Sequence, residues 1–216
     1  MKFLKILENI FIDDATRRSL AQDESDPQGM RRILKIFTGH FREFTIYNIF
    51  GLAAGIVFFS TIFFPWWRAD VYDRMYTIDA YPYILIHNLP PEGIKYVIET
   101  PIIAVILLPV VLFGYLFLAF WGSTMPGKKG RLFIMWSGLF MLAYAAGFFG
   151  SLLFACTLAG MPVVGLGIIH YTVDVDVFMY FLQPYYVAIG AGVACLLSTL
   201  VHGLLPIRLH PRRKDR

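Results

Sequence analysis

The chain has 216 residues, of which 57% are apolar, 17% aromatic and only 16% charged, with a net charge of +4, a pI near 9.1 and a mean hydropathy of +0.61. This is too apolar for an ordinary soluble domain. The cations sit at the ends of apolar stretches, so membrane topology and anionic headgroups explain the basic balance and nucleic acid is excluded as a partner.

The first 44 residues read as a cytoplasmic arm. Phe3, Leu4, Ile6, Leu7, Ile10 and Phe11 recur at helical spacing with Lys2, Lys5, Glu8 and Asn9 between them, an amphipathic helix too short to stand alone in water. The run interrupted by charge at Lys5 and Glu8 does not read as a cleavable signal peptide. Asp13 or Asp14 caps a second short helix, and Gln22–Gly29 reads as a linker. Met30, Ile33, Leu34, Phe37, Phe41 and Phe44 then form one apolar stripe beside Arg31, Arg32, Lys35 and Arg42, predicting an interfacial helix in which Phe37, Phe41 and Phe44 anchor in the membrane or dock on another subunit.

Four stretches carry no Asp, Glu, Lys or Arg: Thr45–Trp67, Thr100–Met125, Leu132–Val173 and Val177–Ile207. Each reaches the roughly 20 residues that a bilayer crossing needs. The expectation is an all-α polytopic integral membrane protein with N-terminal interfacial helices and a membrane domain over 45–207. Its four transmembrane helices fall near 45–67, 100–122, 132–158 and 183–205, followed by a basic cytoplasmic tail at 208–216. With both termini in the cytoplasm, that side holds 16 of the 19 Lys and Arg: eight before Ile46, three in Lys128–Arg131 and five after Pro206. Acidic residues divide eight to seven, so the asymmetry lies in the cations, as the positive-inside rule requires for a multi-pass cell-membrane protein.

Within the first stretch Gly51 and Gly55 form a GxxxG spacing, and Phe63-Phe64-Pro65-Trp66-Trp67 reads as an aromatic belt at the outer interface. Arg68–Ile98 reads as an aromatic outer loop folded onto the span ends or a partner, with a short helix from Pro91. Pro109 in the second span predicts a kink. Small residues at Ala143, Gly147 and Gly150, and at Ala188 and Gly192, predict close packing among the first, third and fourth spans. Gly160, Pro162, Gly165 and Gly167 read as an irregular outer segment or a re-entrant loop.

Three constellations bear on chemistry. Gly122-Ser-Thr-Met-Pro-Gly127-Lys128 matches a phosphate loop until Lys129 takes the place of the magnesium-binding Ser or Thr, and it reads as a turn. His87, His170, Asp174 and Asp176 supply metal-ligand types on the outer side, but their spacing is loose. His202 lies near the cytoplasmic end of the last span without a charged or haem-ligating partner at mid-depth. Cys156 and Cys195 read as buried packing residues. No catalytic, cofactor or metal residues are assigned, and the chain does not read as an enzyme.

The string from Arg32 to Phe50, a basic-aromatic helix leading into Asn48-Ile-Phe, resembles the opening of YesL-like membrane proteins of Gram-positive bacteria, and Ile102–Phe120 is similar to their next span. The resemblance implies an accessory to carbohydrate uptake. The expectation is therefore a non-catalytic accessory or structural subunit of a larger membrane complex, with the lipid bilayer and other membrane subunits as partners. The alternatives are a small transporter or channel for a neutral solute and, last, a metal- or haem-binding redox subunit using His170 or His202.

Overall fold

A computed structural model describes residues 45–71, 75–89, 102–170 and 174–208. In chain order the elements are β1 (Thr45–Ile46), α1 (Ile49–Thr61), β2 (Trp67–Val71), β3 (Tyr76–Ala80), β4 (Leu85–His87), α2 (Ile102–Thr124), α3 (Gly127–Leu158), β5 (Gly165–His170), β6 (Asp174–Phe181), α4 (Gln183–Ser198) with a 3-10 turn over Thr199–Val201, and β7 (Ile207–Arg208). The predicted interfacial helices with Phe37, Phe41 and Phe44, the short helix from Pro91 and the basic tail beyond Arg208 lie outside the described residues.

The four helices form a bundle in which α1 and α3 occupy opposite corners, each packed against both α2 and α4. Where they approach most closely, side chains are small. A Cβ added to Gly55 would lie 2.7 Å from that of Ala119, and one on Gly138 would lie 2.9 Å from Leu196. Phe58, Leu112, Ile134 and Met141 fill the interior, and many other large apolar side chains point outward: Phe50, Ile56, Val110, Phe113, Trp136, Phe140, Val193 and Leu197 are all exposed. An exterior this apolar suits hydrocarbon better than water.

The all-α expectation is overturned by a five-stranded antiparallel sheet in the order β4-β3-β2-β6-β5. The predicted outer loop supplies β2, β3 and β4, the predicted irregular segment around Gly165 enters β5, and Val177–Phe181, counted as the start of an apolar stretch, belongs to β6. The physical reason is that strands of three to eight residues lack the length of a span. Their alternation, as in Trp67-Arg68-Ala69-Asp70-Val71, pays off only once partners distant in sequence are paired. Four full-length spans are corrected as well. Among the described residues two helices are long and apolar enough to cross a membrane, Gly127–Leu158 and Gln183–Val201, while Ile49–Thr61 and Leu108–Thr124 are shorter apolar segments.

Trp66 joins the two layers. Its backbone N–H donates to Ala80 O (2.8 Å) and its carbonyl accepts from Leu182 N (2.9 Å), so the chain leaving α1 and the chain entering α4 are tied to one residue. Its indole is fully buried among Phe58, Tyr144, Phe148 and Tyr185, and Nε1 donates to Thr61 O at 3.1 Å. Trp67 is buried too, donating to Val163 O at 2.8 Å. Of the expected aromatic belt, Phe63 and Phe64 face outward, whereas both tryptophans are interior. The opposite end of the bundle is closed by polar contacts. Asn48 caps α1 by accepting from Gly51 N (2.8 Å) and donates from Nδ2 to Ser198 O (2.8 Å), while Tyr47 N donates to Ser123 O (2.7 Å). There β1 pairs with β7, so the described chain begins and ends beside the α2–α3 turn.

Candidate functional site

The sheet has two unlike faces. Trp67, Ala69, Val71, Ala80, Val175, Val177 and Met179 form one core with Leu152 and Cys156 from the last turns of α3. On the other face the antiparallel registers align Leu166, Phe178, Asp70 and Thr77 in one row, and Tyr180, Arg68, Asp79 and Ile86 in the next. Arg68 grips Asp79 through a fork, Nε to Oδ1 at 2.7 Å and Nη2 to Oδ2 at 3.0 Å, and this pairing holds the guanidinium charged still more firmly than usual. Tyr180 donates its hydroxyl to Asp70 Oδ2 at 3.1 Å. Burial first, and then this bond to a carboxylate, raise the Tyr180 pKa above its ordinary value. The polar groups in the middle of the face thus satisfy one another. Around them Leu166 (62% exposed), Ile168, Phe178 (53%) and Ile86 stand open.

The length of α3 places this layer outside the bundle. Thirty-two residues rise about 48 Å, against about 30 Å of hydrocarbon. Phe149 stacks on Phe181 (5.8 Å) and Phe148 meets Tyr185 (6.0 Å), so α3 passes the start of α4 at this level and continues beside the sheet for two more turns. An open sheet cannot lie in hydrocarbon, because its edge strands carry unpaired peptide groups. With the bundle set in a bilayer, the sheet would lie on the aqueous side. The outward face of the overhanging turns remains apolar, with Phe154 67% and Leu158 66% exposed.

The residues singled out for helix packing divide between interior and exterior. Gly51 sits where a Cβ would lie 3.0 Å from Ser198 Oγ, and Gly55 abuts Ala119. Ala188 is fully buried, and a Cβ on Gly192 would lie 2.8 Å from Leu142. Ala143, Gly147 and Gly150, in contrast, point away from the bundle, and nothing lies within 4 Å of a Cβ added at either glycine. The face of α3 that packs carries Ile134, Ser137, Gly138 and Met141 instead. Gly122 and Gly130, overlooked by spacing rules, make the α2–α3 turn possible. A Cβ on Gly130 would collide with the Met125 carbonyl and come 2.8 Å from both Gly122 O and His202 Nε2. Their signal in the sequence was their position on either side of Met125-Pro126, where the two helices have to touch.

The metal constellation is taken apart. His87 lies on β4 and His170 on β5, the two opposite edges of the sheet, about 19 Å apart at strand spacing. His170 and Asp174 are backbone partners in the β5–β6 hairpin. No group of three metal-ligating side chains comes together among the described residues. The phosphate-loop look-alike is the link between two helices, with Lys128 in the first turn of α3. His202 is buried with Nε2 3.1 Å from Met125 O, so it closes the end of the bundle. Cys156 and Cys195 are both buried and free, and Cys195 Sγ lies 3.5 Å from Ile134 O.

The class that the fold defines is an apolar-surfaced helix bundle carrying an antiparallel sheet on one end. No model of a protein family matches the chain, and a search of curated proteins finds no match either. The geometry of the sheet therefore carries the functional argument.

Proposed function

We propose that the protein is a non-catalytic accessory or structural subunit of a larger membrane complex, anchored by its bundle and presenting its sheet to a partner. The observation that carries this reading is the open face of the sheet. Arg68, Asp79 and Asp70 in its middle are already partnered within the molecule, while Leu166, Ile168, Phe178 and Ile86 stay exposed on a layer that hydrocarbon cannot cover. A partner subunit is the natural cover for such a surface. The resemblance of Arg32–Phe50 to YesL-like proteins suggests solute uptake, of carbohydrate in particular, as the setting.

The arrangement in the membrane that fits this role is multi-pass, with both chain ends cytoplasmic and the sheet outside. Lys128, Lys129, Arg131 and Arg208 belong to the bundle end opposite the sheet, which supports that orientation. Purification in mild detergent tests the function: a second chain should co-purify in fixed stoichiometry, and a lone monomer that retains activity in its cell would overturn the reading. Labelling with a membrane-impermeant thiol reagent tests the orientation. Asp79→Cys should react from outside and Lys129→Cys should not, and the reverse pattern would invert the topology.

A further inference from the structure

The two edges of the sheet are finished differently. At one edge β4 is only three residues long and is followed within three residues by Pro90-Pro91, a short strand ended by proline. At the other edge β5 runs six residues, Gly-Leu-Gly-Ile-Ile-His, with no Lys, Arg, Asp, Glu or Pro. It pairs with β6 on one side, and among the described residues no strand lies on its other side. Exposed edge strands are ordinarily blunted by charge, proline, a bulge or shortness, because their unpaired N–H and C=O groups recruit further strands. β5 carries none of these devices and keeps a regular register with β6 over its full length.

The neighbouring side chains define what such a strand would meet. Leu166 and Ile168 are exposed on the open face, beside Phe178 and the exposed Asp176 of β6, which is the register partner of Ile168. On the covered face Gly167 presents no side chain, because a Cβ there would lie 2.8 Å from Met179 Cε and 3.3 Å from Pro162. An added strand therefore finds a regular edge, an apolar row to extend and, one strand further in, an exposed carboxylate with no ion-pair partner among the described residues. We infer that β5 is a docking edge for an extended, apolar and basic peptide segment of a partner protein. That segment pairs its backbone with β5, packs alternate apolar side chains on Leu166 and Ile168, and reaches Asp176 with a Lys or Arg. This rests on the accessory-subunit reading and names the chemistry of the partner segment.

The full chain, in detergent or nanodiscs, is titrated with a fluorescein-labelled peptide alternating leucine with threonine and lysine, and with its glutamate counterpart. The lysine peptide should bind about tenfold tighter or better, one such step corresponding to about 1.4 kcal/mol. Two N-methylated forms of the lysine peptide locate the contact. Methylation of the alternate amides that face β5 should abolish binding, and methylation of the other set should not. Ile168→Lys and Asp176→Lys, both at exposed side chains and with unchanged melting, should each weaken binding about tenfold or more. Absence of binding, equal binding of the lysine and glutamate peptides, or equal tolerance of both methylation patterns would overturn the docking edge. Co-purification of a stoichiometric subunit alongside any of those three results would overturn the edge while leaving the accessory reading in place. Tight, methylation-sensitive peptide binding by a chain that purifies alone would support the edge and count against the stable complex.

Discussion

In the bundle, helices approach most closely at Gly51, Gly55, Gly138, Ala188 and Gly192 and leave Phe50, Phe113, Trp136 and Leu197 outside; in the sheet layer, Trp67, Val71, Val177 and Met179 point inward and the middle of the open face is polar. The two regions share a chain and a junction at Trp66, and both bury large apolar residues, Phe58, Leu112, Ile134 and Met141 in the bundle; they differ in what they leave outside. An apolar exterior is what hydrocarbon surroundings would favour. Next to lipid there is no gain in hiding a large apolar side chain, so association rests on close approach of backbones, whereas on the aqueous side apolar area itself drives packing. The exceptions then stand out. Phe154 and Leu158 on the α3 overhang, with Leu166 and Phe178 on the sheet, are large apolar residues exposed where the second rule should apply.

The largest effect is expected at the junction. Trp66→Ala should cost about 3–5 kcal/mol, because the fully buried indole packs on Phe58, Tyr144, Phe148 and Tyr185 of the bundle, beside the backbone bond to Ala80 of the sheet, and its loss leaves a cavity. Near-UV circular dichroism melts in detergent should show the sheet and the bundle destabilised together. Melting of the sheet alone would mean that the layers fold independently.

Next comes the rule of close approach. Gly192→Leu should destabilise by about 1–3 kcal/mol, since its side chain would enter space held by Leu142 and Met141. Gly130→Ala belongs in the same range for the same reason, its new methyl meeting the Met125 and Gly122 carbonyls. Val193→Leu, on the exposed side of α4, should stay within about 0.5 kcal/mol of the parent in the same melting experiment.

A smaller effect is expected in the polar network of the sheet. Tyr180→Phe removes the hydroxyl that donates to Asp70 and should cost about 0.5–1.5 kcal/mol at neutral pH. The pH dependence has a definite sign. Burial and the bond to Asp70 raise the phenol above its ordinary 10.0, so the stability it contributes is complete below that value and fades as the pH rises through the folded-state value. Chemical unfolding at stepped alkaline pH should show this loss in the parent chain and less of it in Tyr180→Phe. Identical alkaline profiles would mean that the hydroxyl is not coupled to folding.

The smallest effect is expected on the outward face of α3. Gly150→Leu, on the small-residue face of α3 that points away from the bundle, should shift the melting of the isolated chain by no more than about 0.5 kcal/mol. A loss as large as that of Gly192→Leu would mean that this face is packed after all.

Residues 45–208 were legible in part. Asn48 opening α1, Gln183-Pro184 opening α4 and the cations around Gly127 are local signals, since capping, proline geometry and the aversion of charge to hydrocarbon act within a turn or two. The sequence by itself thus located where the apolar helices run, but it carried the first to 67 and the last to 205, past their ends at Thr61 and Ser198. Which faces of α3 and α4 meet was not decided there: Ala143, Gly147 and Gly150 have the same spacing as packing residues, yet Gly138 and Met141 hold the contact. The sheet was decided only by tertiary structure. Trp67–Val71 pairs with Val177–Phe181 more than a hundred residues away, and neither strand has enough apolar length or exclusive pattern to declare itself before that pairing exists. Helical hydrogen bonds close within four residues, whereas strand partners are chosen by the whole chain. The junction at Trp66 and the unguarded edge of β5 follow from that later choice.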